Sequence, residues 1–566
     1  VDERTAVLDA EPEDRTDRPW RIPLAGRLTP VVLLVVVAAV QTLHRVDDPD
    51  TWWHLRTGAE LRRSLDLVGP DPWSPFTTHE WIRHQWLGDL LMAGVHDVAG
   101  LAGVAWLVTA FAVTTVVAAY SVARRRASVL VSAGVAVVAL VGASMTLSAR
   151  PQSISLPLTV IAAGVWLSTA HDHRPRWWLA PLTWAWACCH GFWFLVPALG
   201  AVVVVGLVLE RAPARAVVRS SALAAATLVV AALTPVGPRL LTAPFEVSTI
   251  TGFIEEWLPP SPGAPAFVAG CAMAVVLVVL WSLGDPPHWA EVGVLVVAAY
   301  LLVAHGRTVS LAAVLLVPLL AAAVQRRVPL ERERTGRTEV LAVSVAAVLG
   351  LGLTALVAPA QASTPVGFPT ALSPRLSALP AGTVVCNDYD AGGWLWWSHP
   401  DLVPVIDGRT ELYTPEDLRA YTRFVAGGPG TEAEVQRRGC AAALVRDGSP
   451  PPTRSCAPGG TSTRRVAAGS WCSRPADRGP QPHPRAAATP GPGRSTSSSV
   501  RALLANPGYR CATSYSPTAR DQSVAQASAS GGVPEAGTMT HARARSWHDT
   551  FERASRADST PPDHAV

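Results

Sequence analysis

Residues 28–58 read LTPVVLLVVVAAVQTLHRVDDPDTWWHLRTG. The stretch from Leu28 to Leu43 is mostly aliphatic, and then acid and tryptophan arrive together. A membrane-crossing helix needs about 20 mostly apolar residues. A polar segment precedes the run and no small-residue cleavage site follows it, so it reads as an anchor rather than a removable leader. Outward from this stretch the pattern repeats. Apolar runs at 101–122, 128–147, 154–168, 177–189, 192–209, 220–233, 266–283, 290–304, 309–324 and 340–357 bring the expectation to about eleven spans. The expected fold class is therefore mainly α, a polytopic membrane helical bundle.

Composition points the same way. The 566 residues are 49% hydrophobic and only 16% charged, with mean hydropathy +0.25. A soluble domain carries about 25% charged residues. There is no lysine, so all 47 basic residues are arginine, and the net charge is +4. From Pro451 onward 14 Arg face 7 acids, which leaves the preceding 450 residues at −3. So small a charge, without a basic patch interleaved with aromatics, excludes a nucleic-acid partner. Charges within the apolar runs are scarce, which argues against ion-coupled transport.

Arginines in short loops set the expected orientation. Arg124 to Arg126, Arg174 with Arg176, Arg211 with Arg215 and Arg219, and Arg326 with Arg327 fall in alternate loops. Placing them on the cytoplasmic side of a plasma membrane puts the N-terminus in the cytoplasm and the C-terminus outside. The domains expected are a cytoplasmic segment 1–27, a membrane core 28–360 with a large first outer loop 44–100, a small outer α/β domain 361–447, and a tail 448–566. In the α/β domain, short strands near 383–386, 403–406 and 441–445 alternate with helical spacing at 415–425 and 431–438. Cys386 and Cys440 lie within it and are a candidate disulfide outside the cytoplasm. The tail is rich in Pro, Ser, Thr, Arg and Gly without a sustained period, which reads as disorder or as an out-of-frame translation of GC-rich codons. No C-x-x-C spacing occurs anywhere, so no zinc site is expected.

The first outer loop concentrates chemistry. Asp47, Asp48, Asp50 and Glu80 share it with Trp52, Trp53, His54 and Arg56. Carboxylates there can bind hydroxyls, hold a hard cation, or take a reacting proton. Tryptophan faces can stack on sugar C–H surfaces. An interfacial aromatic belt has similar composition. Further along, His190 stands between two apolar runs, as a hairpin cap or a functional polar group. Glu256 and Trp257 form a second acidic-aromatic cluster, and Arg307 lies between two later runs, suited to a phosphate or to lipid headgroups. Asp407 and Arg409 follow a strand's C-terminal end, a usual ligand position in open α/β sheets, and equally form an internal salt bridge.

The order of these motifs resembles a family of bacterial polytopic membrane proteins. It runs D-x-D-x-W-W-H-L-R-T-G from Asp48, D-P-W-S from Asp71, H-Q-W-L from His84, then His190-Gly191, Pro235-x-Gly237, Glu256-Trp257-x-Pro259, Asn387-Asp388-Tyr389, Gly392-Gly393-Trp394-Leu395 and Ile406-Asp407-Gly408-Arg409. That family resembles the GT-C superfamily of glycosyltransferases, which carry an acidic motif after the first span. The resemblance covers residues 29–445. It implies transfer of a sugar from a polyprenyl-phosphate-linked donor to an envelope glycan, lipid or protein acceptor on the outer face of the bilayer, with inversion. By it, Asp48 is the favoured base with Asp50 as partner and Asp47 as the third candidate. Asp48 and Asp50 are also the tentative ligands of a divalent metal, Mg or Mn. Substrate contacts fall to Trp52, Trp53, His54, Arg56, Glu80, His190, Glu256, Trp257, Arg307, Asp407 and Arg409, with Arg150 as a further phosphate candidate. The alternative is a non-catalytic lipid- or glycan-binding scaffold of cell-envelope assembly.

Overall fold

The structure, a computed structural model, describes residues 24–242, 251–284, 286–426 and 430–445, with three short strands beyond them. Most of the expected N-terminal segment and most of the expected tail lie outside the described residues. The chain is mainly helical, and its apolar helices make it a multi-pass membrane protein. Valine and leucine side chains such as Leu33, Val276, Val279, Val348 and Leu356 stand exposed on the outer faces of these helices. An aqueous protein has no use for so much exposed apolar surface, whereas lipid accepts it.

Each expected apolar run falls on a helix, and six or seven of these helices are long enough to count as candidate spans. Among the described residues six helices are long and apolar enough to cross a membrane: Trp86–Arg124, Pro151–Asp172, Gly191–Leu209, Ala214–Ala232, Pro265–Ser282 and Arg337–Gln361. A bent pair, Gly306–Leu315 with Val317–Gln325, makes a seventh. Four more apolar helices, Leu28–Thr42, Val129–Ala143, Leu179–Cys189 and Trp289–Ala304, are shorter. At 1.5 Å per residue a helix of 15 residues reaches about 22 Å, short of a hydrocarbon core of about 30 Å.

Three helices place the first loop. Helix α1 (Leu24–Thr42) is the expected anchor, α2 (Thr51–Leu61) opens directly after the acids, and α3 (Trp86–Arg124) follows the loop. Helix α3 is 39 residues long and breaks at Gly100, where φ is 59°. That left-handed conformation suits glycine. It divides α3 into a first limb beside the loop and a second limb of membrane length. Gly58 lets α2 lie against the first limb, because a Cβ there would overlap the Asp89 carbonyl. The loop itself holds a two-residue hairpin, β1 (Val68–Gly69) antiparallel to β2 (Trp81–Ile82).

The α/β unit expected outside the membrane, called here the outer unit, has parallel strands at the expected positions. Strand β3 (Val384–Asn387) pairs in parallel with β4 (Val403–Pro404) on one side and β5 (Ala442–Val445) on the other. Cys386 and Cys440 are joined as a disulfide, with Cα atoms 5.6 Å apart. One feature was not expected. Residues 470–473, 503–505 and 509–513 form strands that extend the sheet antiparallel from β5.

Candidate active site

The acid motif forms a tight turn between α1 and α2. The Asp50 N–H donates to Asp48 Oδ1 at 3.0 Å, and the Thr51 N–H to the Asp48 carbonyl at 3.3 Å. The Thr51 hydroxyl donates to the Ala149 carbonyl at 2.9 Å. That bond seats the start of α2 beside Arg150, a residue about 100 positions further along. Arg150 is the hub. Its Nε lies 2.6 Å from both oxygens of Asp48. Its Nη1 lies 3.0 Å from Asp50 Oδ2 and 2.9 Å from Glu256 Oε1. Arg307 reaches the other oxygen of Glu256 at 3.5 Å and His190 Nε2 at 3.4 Å. His190 Nδ1 is 3.0 Å from the Ser155 hydroxyl, which accepts from the Trp186 indole N–H at 2.9 Å. Three carboxylates, two arginines and one imidazole are thus gathered from five separate stretches of chain.

Their charges do not balance, and Asp50 shows it. Burial raises the Asp50 carboxyl, Arg150 pulls it back, and Asp48 and Glu256 raise it again, so it is pushed up to about 7. Arg150 is disfavoured by burial, yet its three acidic neighbours outweigh that and hold it charged. Beside them His54 is driven well below its usual value, by burial first and then by Arg150, His84 and Arg307. Its Nδ1 lies 2.6 Å from Asp89 Oδ1 on the first limb of α3.

The two acids of the motif therefore differ. Asp48 is gripped through both oxygens. Asp50 is the group poised to give and take a proton near neutrality. Asp47, the third candidate, is exposed. Asp48 and Asp50 both close on the Arg150 guanidinium. Among the described residues no three His, Cys, Asp or Glu side chains are arranged to hold a metal ion.

Several expected contact residues do other work. Trp52 is buried edge-on against Phe368. The Arg56 guanidinium stacks between Trp73 and Trp396 and donates to the Trp396 carbonyl at 2.8 Å. Glu80 is exposed and pairs with Arg239. Arg409 is fully buried and held between Asp407, at 2.7 Å, and Asp71 of the first loop, at 2.9 Å. Asp407 also accepts from the Trp396 indole at 2.8 Å. The Asp407–Arg409 pair is thus an internal ion network, and it ties the outer unit to the first loop.

That strut bears on the acids through the glycine between its two residues. A Cβ on Gly408 would overlap the Asp50 carboxylate and stand 3.0 Å from the Trp53 indole nitrogen. Gly393 does the same service at Pro49, where a Cβ would lie 2.8 Å from the carbonyl oxygen. The glycines of G-G-W and D-G-R let the outer unit close directly on D-P-D. Trp257 meets His305 edge-on, and Arg307 lies over its face at 5.5 Å. Sequence reading missed Asp89 and Asp71 as partners. A lone acid in the first turn of an apolar run was the available signal for Asp89.

No protein-family model and no curated protein matches the chain. Among solved structures, it is similar to the archaeal oligosaccharyltransferase AglB from Archaeoglobus fulgidus in complex with an inhibitory peptide and a dolichol-phosphate. The TM-score is 0.46 at 12% identity, over 74% of this chain and 69% of that one. The apo form of the Archaeoglobus fulgidus oligosaccharyltransferase gives 0.47 at 11% identity over the same shares. The arabinofuranosyltransferase AftD from Mycobacteria gives 0.39 at 17% identity, over 87% of this chain and 42% of that one.

Proposed function

We propose that this protein is a membrane glycosyltransferase of the inverting type. It transfers a sugar from a polyprenyl-phosphate-linked donor to a hydroxyl of an envelope glycan, lipid or protein acceptor at the outer face of the membrane. One observation carries the reading: three carboxylates converge on Arg150 beside the first anchor, and one of them, Asp50, sits at about 7. A base tuned near working pH is what general-base attack by a hydroxyl requires.

In this scheme Asp50 removes the proton of the acceptor hydroxyl as its oxygen attacks the anomeric carbon. The bond from that carbon to the lipid phosphate breaks, and the phosphate leaves with the electron pair. Arg307, beside His190, meets the developing phosphate charge. Asp48 does not take the proton. It anchors Arg150, which orients Asp50 and Glu256. A divalent metal bound by Asp48 and Asp50 requires Arg150 to swing aside, and no step above runs through one.

The finer topology belongs to the same proposal. If the four shorter apolar helices also cross, the bundle has eleven spans, the N-terminus lies in the cytoplasm, and both the first loop and residues 361–447 lie outside. A scaffold reading draws on the Asp48–Arg150 grip, since such a lock serves binding as well as turnover. The test is transfer in nanodiscs from defined polyprenyl-phosphate sugars. Asp50→Asn is expected to lower turnover by about 10²–10⁴-fold. Turnover unchanged in Asp50→Asn and Asp48→Asn removes the catalytic assignment.

A further inference from the structure

We infer that His190 and Arg307 hold one phosphate between them, and that the lipid carrier is a monophosphate rather than a diphosphate. The inference rests on the transferase reading above and deepens it by naming the class of the donor. It starts from a hydrogen-bond count. His190 ends the helix Leu179–Cys189 and is buried, and its Nδ1 accepts the N–H of Phe192 at 3.3 Å. A backbone N–H can only donate, so Nδ1 carries a lone pair and the ring hydrogen sits on Nε2. Ser155, at the start of the helix Ser155–Asp172, agrees with this. Its hydroxyl accepts from the Trp186 indole at 2.9 Å and gives its own hydrogen to His190 Nδ1 at 3.0 Å. The relay from Trp186 through Ser155 thus fixes His190 as a donor through Nε2.

Arg307 Nη2 lies 3.4 Å from that Nε2. Both atoms are donors, so neither satisfies the other and both call for a common acceptor. The Arg307 Nε–H is buried and has no acceptor among the described residues. Arg307 directs Nη1 to Glu256, at 3.5 Å, which leaves the Nε–Nη2 edge. That edge of a guanidinium matches two oxygens of a phosphate. The support is firm. The Gly306 N–H donates to the Leu258 carbonyl at 2.8 Å and sets the turn Gly306–Thr308 beside Glu256 and Trp257. Arg307 keeps 19% and Glu256 35% of their side-chain surface, so a ligand reaches the buried imidazole from their side. Charge then sets the number of phosphates. Among the described residues the ions linked at this centre are Asp48, Asp50 and Glu256 against Arg150 and Arg307. Arg150 already answers all three carboxylates, which leaves Arg307 to face phosphate. A sugar-linked monophosphate adds one negative charge and a diphosphate adds two. For the second charge these ions supply no cation.

The experiment is equilibrium binding of radiolabelled farnesyl phosphate to the full chain in phosphatidylcholine nanodiscs, with farnesyl diphosphate, inorganic phosphate and phosphatidylglycerol as competitors. Farnesyl phosphate is expected to bind at least about tenfold more tightly than each competitor. Arg307→Gln and His190→Ala are each expected to weaken it about tenfold to a hundredfold, as for loss of a hydrogen bond to a charged group. The double variant should lose less than the product of the two, because both groups hold the same anion. His190→Gln, whose amide keeps an N–H donor, should recover part of the loss, which separates contact from fold. Losses that multiply overturn the shared phosphate. Farnesyl diphosphate binding as tightly as the monophosphate overturns the single-phosphate assignment in the parent alone. Equal competition by inorganic phosphate points to the free ion, and by phosphatidylglycerol to bilayer headgroups, and either result overturns the carrier assignment. No binding in the parent overturns the inference altogether. None of these readouts needs turnover, so a chain that binds as expected yet transfers nothing refutes the transferase reading alone.

Discussion

Replacing Glu256 by Gln should lower the pKa of Asp50 by about one unit. Both carboxylates bond the same Arg150 nitrogen, at 2.9 and 3.0 Å, so their nearest oxygens stand no more than about 6 Å apart. Two unit charges at that distance repel by about 3 kcal/mol at an effective dielectric of 20, and by about 0.7 kcal/mol in bulk water. Those limits correspond to about 2 and about 0.5 pH units. Glu256 is 35% exposed and Asp50 15%, so solvent screening brings the value toward the lower half of that span. Loss of Glu256 also releases Arg150 toward Asp50, which acts in the same direction. Infrared difference spectra across a pH series measure this without substrate. The protonated-carboxyl band that vanishes in Asp50→Asn should titrate near 7 in the parent and near 6 in Glu256→Gln. A base acts when ionised, so the low-pH limb of any transfer rate should move down by the same amount. A parental band titrating near 4, or an upward shift in the variant, refutes the electrostatic account.

Three further outcomes follow from the packing. Gly408→Ala pushes a methyl into the Asp50 carboxylate, so transfer should fall at least tenfold in a turnover assay while far-ultraviolet circular dichroism stays unchanged. Arg409→Leu leaves Asp407 and Asp71 buried and unpaired, which should destabilise the outer unit by about 3–5 kcal/mol in denaturant unfolding. Cys386→Ser opens a loop spanning 54 residues. It should cost up to about 4 kcal/mol in the same unfolding measurement, with reduction of the parent giving a similar loss.

Among the described residues the apolar runs located the apolar helices, because side-chain hydropathy decides where a helix meets lipid. Hydropathy did not decide how many cross. The run at 128–147 became a helix of only 15 residues, Val129–Ala143. Its end is set by the polar turn at Ser144, which an averaged window passes over. In the loop, D-P-D and the glycine motifs were visible, but the choice between Asp48 and Asp50 was not. It depends on Arg150, which reaches them across about 100 residues and grips one acid through both oxygens. Asp407 and Arg409 were ambiguous because a ligand site and an ion network call for the same side chains. Only burial separates the two.

The strut from Asp71 to Arg409 spans 338 positions of the chain. A ribosome adding about 5–20 residues per second takes roughly 20–70 s to cover that interval. Throughout it the acids after the first anchor exist without the glycine that seats Asp50. Most of the bundle can enter the bilayer before Asp50 acquires its final surroundings. Completion of this cluster thereby follows insertion of the helices that precede it, and chains cut short before residue 409 should insert yet remain inert.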